Sequence, residues 1–265
     1  MLKRLFLVTS LLTIAAAPVP AKLTVGIYPS YPPLDMKDPA TGTLRGFDVA
    51  LAHDLAERMG TSFTFQETSF AQLLPSVQTG RIALFFNGMN DTPARQASIG
   101  FVDYLRSGTQ FMVRAADAGA YKTGVALCGK KVAGSRSTNL PGQIAAWSQA
   151  NCQAHNLPAV AFLDADNNID ARLQLKQGRA DAMVQDSLTI PFIQSQEKGV
   201  YATVGEPFDM TVMGIGVGKT DTVLQKALQS ALNAMIHDGS YAALLKKWGL
   251  PASSGIPHAT IDIGS

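Results

Sequence analysis

The sequence predicts an α/β protein of two lobes, each a mixed, mostly parallel sheet covered by helices, with two crossovers between them. Three observations carry that expectation. From Lys22 onward, strand-like runs alternate with helix-like ones, the order that gives parallel strands with helices packed over them. Thr79-Gly80-Arg81 opens an apolar run ending at Gly88, and Gln177-Gly178-Arg179 opens another ending near Asp186, each seven residues past its arginine (88 − 81 and 186 − 179). In both, a helix, a glycine stop and an apolar strand deliver a residue to the strand's carboxyl end, the edge outside which open α/β sheets bind ligands. Two such edges facing each other enclose a cleft. Finally, about 244 residues (265 − 21) remain once a leader is removed, room for two lobes of ordinary size.

The leader is read from residues 1–21. Lys3 and Arg4 precede an apolar run from Leu5 to Ala17, and Val19-Pro20-Ala21 is a small-residue cleavage site. That is the pattern of a secretory signal peptide cleaved after Ala21, and the run is too short to span a membrane. No cysteine stands at the cleavage point to carry a lipid anchor. Removing the leader leaves 20 Lys+Arg (22 − 2) against 20 Asp+Glu. Nothing in the mature chain looks like a phosphate-binding surface, so nucleic acid is not an expected partner. The mature protein is expected to be soluble in an oxidising compartment and monomeric. Cys128 and Cys152 are the only cysteines, and an even count in an exported chain predicts a disulfide between them.

Leu23 to Ile27 alternates as a strand. Tyr28-Pro29-Ser30-Tyr31-Pro32-Pro33 must then be an irregular loop, since proline fits neither regular element. Asp48 is placed to cap a helix whose apolar face is Leu51, Leu55 and Met59, with Gly60 as its stop. A strand with Phe63 and Phe65 on one face follows, then a helix carrying Leu73, Leu74 and Val77 and ending at Gly80. Ile82, Leu84, Phe85 and Phe86 make a buried strand that runs into Asn87-Gly88-Met89-Asn90-Asp91-Thr92-Pro93-Ala94-Arg95. Here Thr92 fits a helix N-cap with Pro93 at the first helical position. Free amides at a helix start favour an anion, and Arg95 adds a planar fork suited to a carboxylate. An ordinary strand–turn–helix corner with a solvated arginine fits the same residues.

Phe101 to Arg114 reads as an extended crossover, with the first lobe boundary near Leu105–Gln110. A strand from Lys131 to Gly134, a polar turn from Ser135 to Asn139 and a helix through Trp147 begin the second lobe. The chain is expected to return near Asp209–Gly214 and to continue into an amphipathic helix bearing Leu224, Leu228, Leu232 and Met235. The expected organisation is a signal peptide over 1–21, a first lobe from 22–108 and 211–250, a second lobe over 109–210, and a loosely held tail over 251–265.

The Gly88–Arg95 segment resembles the Gly-Met-Thr-x-Thr-x-Glu-Arg signature of the periplasmic amino-acid-binding proteins, the family 3 solute-binding subunits of ABC importers. Gly88, Met89, Thr92 and Arg95 match, while Asn90 and Ala94 stand where Thr and Glu are usual. Tyr31 and Pro33 match the family's Tyr-x-Pro-Phe segment, with Leu34 in place of the aromatic. Gly46-Phe47-Asp48 matches its helix start, and Asp181 through Asp186 its Asp-Ala-x-x-x-Asp. The resemblance spans nearly all of residues 22–250.

It implies the two-lobe periplasmic-binding-protein fold of type II, closing by hinge motion around an amino acid or close analogue for delivery to membrane permease subunits. It also implies roles. Arg95 and Thr138 would hold the ligand's carboxylate from opposite lobes, and Asp186 with the Gly88 carbonyl its ammonium. Asn90 stands where the signature residue touches ligand, and Tyr31 and Phe70 would be walls. Plainer readings remain open: Thr138 as a helix cap, Asp186 as N-cap of a helix entering over Ser187–Gln196, and Tyr31 and Phe70 as core packing. Members binding basic amino acids tend to carry an acid three positions before the loop tyrosine. Here that position is Tyr28, so an uncharged ligand side chain is expected, and an acidic one next, through Arg136. Asp35 is the nearby carboxylate able to serve a cationic one.

Two other classes are carried beside this: an exported dehydratase of the cyclohexadienyl dehydratase type on the same fold, and a ligand-sensing protein. The first needs a positioned general acid, and the sequence offers none beyond Asp186. The second would be favoured by a transmembrane segment or a fused signalling domain, and the sequence shows neither. No cofactor is expected. Gly214–Thr220 lacks the first glycine of a phosphate loop, that position being Met213. The four histidines are scattered without metal-ligand spacing.

Overall fold

The structure, a computed structural model, describes residues 19–264; all but the last three residues of the expected leader lie outside them. The opening alternation forms β1 (Lys22–Ile27). Within the proline-rich loop, β2 (Ser30–Tyr31) and β3 (Asp35–Lys37) pair with β4 (Leu44–Arg45) as a small antiparallel sheet. Gly46 then turns the chain into α1 (Phe47–Arg58). Its φ is +139°, and a Cβ there would lie 1.9 Å from the Leu34 carbonyl oxygen, so only glycine makes this corner. Asp48 is therefore not the cap it was expected to be. Gly46 holds that position, and Asp48 sits in the first turn, fully buried under the Tyr104 hydroxyl.

β5 (Ser62–Glu67), α2 (Phe70–Gln78) and β6 (Leu84–Asn90) follow as the pattern predicted, and all seven residues of β6 are buried. After the short α3 (Pro93–Gln96) comes the long β7 (Gly100–Arg114). The second lobe adds β8 (Lys131–Ser135), α4 (Leu140–Asn151), β9 (Ala161–Ala165), α5 (Asn168–Lys176), β10 (Ala182–Asp186) and α6 (Ile190–Gln196). β11 (Tyr201–Val217) carries the chain back to α7 (Thr222–Asp238) and α8 (Ser240–Lys247). The glycines of residues 214–218 thus belong to the end of a returning strand and the turn after it. β9 is an element the sequence reading missed.

The eight-stranded sheet runs β5-β1-β6-β11-β7-β10-β8-β9. β1 lies parallel to β5 and β6, and β8 parallel to β10 and β9, while the central pairs are antiparallel. β7 and β11 are the crossovers. The first half of β7 pairs with the second half of β11, beside β6; the second half of β7 pairs with the first half of β11, beside β10. Register shifts interrupt β11 between Val204 and Phe208, again before Thr211, and between Met213 and Gly214.

One large apolar cluster joins Leu51, Leu55, Phe86, Tyr104, Leu228 and Leu232 under the first lobe, with a smaller one beneath α2. The second lobe has two small clusters, one on each face of its sheet. The expected Cys128–Cys152 disulfide is formed, and ties the approach to β8 to the end of α4. The tail, in contrast, is not loose. Ile256 and Ala259 are buried, Val102 bridges Ile261, and Asp91 and Asp103 accept from Gly264 N and the Thr260 hydroxyl at 2.9 and 3.0 Å. A polar sequence rich in small residues hid apolar side chains at the spacing needed to cover the edge of β7.

Candidate ligand-binding site

Both repeated strand ends reach one cavity of about 370 Å³, lined from both lobes. Tyr31, Phe70, Gly88, Asn90, Arg95, Thr138 and Asp186 all line it. The structure thus brings the expected site residues together, though several stand differently from their assigned parts.

Gly88 is held from behind. Its N–H donates to the Tyr104 hydroxyl at 2.9 Å, which in turn donates to Asp48. Burial pushes Asp48 up to about 6, offset by hydrogen bonds from Asp35 and Tyr104. Asp35 is raised well above the carboxylate range, first by burial and then by the Asp48 charge. Two carboxyl groups sharing a dry site cannot both ionise cheaply, and Asp35 is the one pushed further toward its neutral form. Asn87 Nδ2 adds a 2.6 Å bond to Asp35. Asp35 is fully buried and absent from the cavity wall, so it cannot serve a cationic ligand as the sequence had allowed. At Gly88 itself φ is +53°, and a Cβ would meet Tyr31 at 2.7 Å and Leu34 at 2.8 Å.

Arg95 presents its guanidinium to the cavity. Nη1 donates to the Asn90 carbonyl at 2.7 Å, and the group lies 5.9 Å from the centre of the Phe70 ring, within cation–π reach. Thr92 does hold the N-cap position of α3, but its side chain caps nothing, and the Arg95 and Gln96 amides both donate to the Thr92 carbonyl. Those two amides are therefore occupied.

Asp186 closes β10 and faces Arg95 across the cleft. Burial pushes it up to about 6, offset by bonds from Tyr31 and Ser107 and by the Arg95 charge. It does not cap α6, which begins four residues later at Ile190 with Thr189 in the cap position. Tyr31 is more than a wall: its hydroxyl donates to Asp186 across the lobes. Asn90 Nδ2 makes a second crossing, 3.3 Å from Asn139 Oδ1. Thr138 is occupied locally, its hydroxyl donating to the Ser135 carbonyl at 2.8 Å and accepting from Leu140 N at 3.2 Å.

The lining also holds residues the sequence reading passed over, notably Ser69, Asn139, Asp166 and Asn168. Asp166 and Asn168 follow β9, which the sequence reading did not predict, at the turn into α5. Recognising β9 as a parallel neighbour of β8 would have placed its end at the same sheet edge.

Known proteins bear on this geometry. The profile of the bacterial extracellular solute-binding proteins, family 3, matches residues 23–251. The histidine-binding periplasmic protein of Salmonella typhimurium is 30% identical over 251 residues, covering 92% of this chain and 94% of that protein. The L-cystine-binding protein of Escherichia coli is 30% identical over 227 residues, covering 85% and 82%. Among solved structures, an ancestral arginine-binding protein bound to arginine superposes with a TM-score of 0.76 at 28% identity, covering 86% of this chain and 98% of that one.

Proposed function

The chain belongs to the bacterial extracellular solute-binding proteins of family 3, and on that footing we propose that it captures an amino acid or close analogue and delivers it to the permease of an ABC importer. It is a binding protein rather than an enzyme, as the relatives it matches are. It works outside the cytoplasmic membrane, and residues 1–21 are proposed to be the export signal that takes it there. Residues 22–108 and 211–250 would form one lobe and 109–210 the other, turning about the breaks in β11.

The observation that carries this reading is the convergence of a guanidinium and a carboxylate from opposite lobes on one cavity, matched to a carboxylate and an ammonium on a single carbon. Arg95 takes the ligand carboxylate in a bidentate grip while its face rests on Phe70. The ammonium goes to Asp186, and Gly88, fixed through Tyr104, offers its carbonyl. Tyr31 then yields its bond to Asp186 or shares it. Asn139 and the α4 start meet the carboxylate from the second lobe, with Thr138 shaping the turn that holds them. Because these contacts come from both lobes, ligand binds the closed form better, which is what drives closure.

A thermal-shift screen of amino acids tests the reading, since ligand bound only to the native state adds about 2.7 kcal/mol at a hundred times Kd. At least one amino acid should raise Tm by several degrees in the wild type and not in Arg95→Ala. No response to any of them would sink the proposal. Incubation with prephenate should leave its spectrum unchanged.

A further inference from the structure

We propose that the cavity takes an amino acid whose far end carries a second ammonium and a second carboxylate, a two-headed zwitterion, read at that end by Arg136 and Asp166. The proposal rests on the amino-acid reading above and extends it to the side chain.

The placement follows from the sheet. β8 and β9 run parallel with Ser135 opposite Ala165, so the next residues, Arg136 and Asp166, leave the carboxyl edge side by side. Arg136 N donates to the Ala165 carbonyl at 3.0 Å, which locks the two turns together. The side chains pair, Arg136 Nη2 to an Asp166 oxygen at 2.5 Å, and both line the cavity. The cleft therefore holds two guanidinium–carboxylate sets: Arg95 with Asp186 between the lobes, and Arg136 with Asp166 on the second lobe.

The two sets differ in what they cost to open. The outer pair is 62% and 67% exposed, and an ion pair in that setting contributes little. Each member can exchange its partner for a ligand group of the same charge at small cost, gaining a bond that closure shields from water. Asn168 adds an acceptor. The residue lines the same wall, beside Asp166. A far end with both charges is also consistent with Tyr28, which lines the cavity and leaves the first lobe without an acid there. A lone cation would meet Arg136, and a lone anion would meet Asp166. A zwitterionic head replaces both partners of the pair at once.

Calorimetric titration with four compounds decides it: meso-2,6-diaminopimelate and cystine, which are two-headed, 2-aminopimelate, which lacks the far ammonium, and lysine, which lacks the far carboxylate. The wild type should bind at least one two-headed compound tenfold or more tighter than either single-headed one. Arg136→Gln should narrow its advantage over lysine, and Asp166→Asn its advantage over 2-aminopimelate. Both side chains are exposed, and melting temperatures within a few degrees of wild type would show the variants to be folded. Single-headed compounds binding as tightly as the two-headed, or an advantage untouched by both substitutions, overturns the proposal while leaving the amino-acid reading in place. If the full set of amino acids also fails to bind, both fall.

Discussion

The two walls of the cavity are built on different principles. The first-lobe wall is centred on a fully buried strand end, β6, whose Gly88 amide is tied through Tyr104 to a carboxyl pair in the core, with the more open start of α2 beside it. The second-lobe wall is mostly two polar turns at the carboxyl ends of β8 and β9, closed by their own side chains and half open to water. Ser135 and Leu140 are buried on that side, and Asp186 is held by the Tyr31 hydroxyl. One wall is preorganised by the fold and the other adjusts to what it meets. A binding protein that recognises one common head group and a variable remainder gains from that division.

The largest effect should come where the walls meet. Asp186→Asn removes the carboxylate proposed to take the ligand ammonium, and leaving that ammonium buried without its partner costs about 3–5 kcal/mol of binding. Amino-acid affinity should fall at least a hundredfold by calorimetry, while the ligand-free protein keeps or raises its Tm. The second half follows from the pKa. Asp186 is raised to about 6, Asp48 to about 6 and Asp103 to about 7, against about 3.9 in an unfolded chain. The folded state holds these protons more tightly, so ligand-free stability should fall as pH rises from about 4 through 7. Ligand affinity must run the other way, weakening as pH drops below about 6 and Asp186 is protonated. Melting curves and titrations across that range test both signs. Parallel trends would mean that Asp186 is not the group that binds the ammonium.

The second lobe is also the more weakly cored, with two small apolar clusters against a large one and a small one in the first. The disulfide compensates. Its cysteines are 24 residues apart, and closing a loop of that size stabilises by about 3 kcal/mol in the chain-entropy model. Ellman's reagent should find no free thiol without reductant. Replacing both cysteines by serine should lower stability by about that amount, with hydrogen exchange rising in β8 and α4 and not in β1 or β6. Uniform loss of protection would erase the contrast between the lobes. On the other wall, Tyr104→Phe removes the hydroxyl between Gly88 and Asp48, leaving a buried amide and a buried carboxylate short of a partner. The cost is about 1–3 kcal/mol of stability, with affinity falling less than in Asp186→Asn.

The same contrast governs what the sequence disclosed. Element order, the repeated strand ends and the cysteine pair were legible because local pattern determines them. The position of Asp48 was not. An aspartate near a helix start reads as a cap, and only the fold reveals that Gly46 is the cap and that Tyr104, 56 residues on, covers the carboxylate. Asp35 misled for a related reason, since nearness in sequence to Tyr31 says nothing about which side of the loop faces water. The tail and the β9 turn were passed over because short polar stretches carry little periodicity, although the fold puts both to use.

Thr138 separates two readings that the sequence left level. Its hydroxyl proton goes to the Ser135 carbonyl and its oxygen accepts from the Leu140 amide, so the side chain closes the turn and has little left for a ligand. Thr138→Val keeps the shape and removes both bonds. The α4 start should lose about 1 kcal/mol, the usual cost of a missing cap, lowering Tm by a few degrees. Affinity should change less than tenfold, through loosening of the turn rather than loss of a contact. Thr138→Ser, which keeps the hydroxyl, should restore both. If Thr138→Val instead lost affinity as severely as Asp186→Asn with Tm unchanged, the hydroxyl would leave Ser135 for the ligand on closure, and the second-lobe wall would grip the head group as directly as the first.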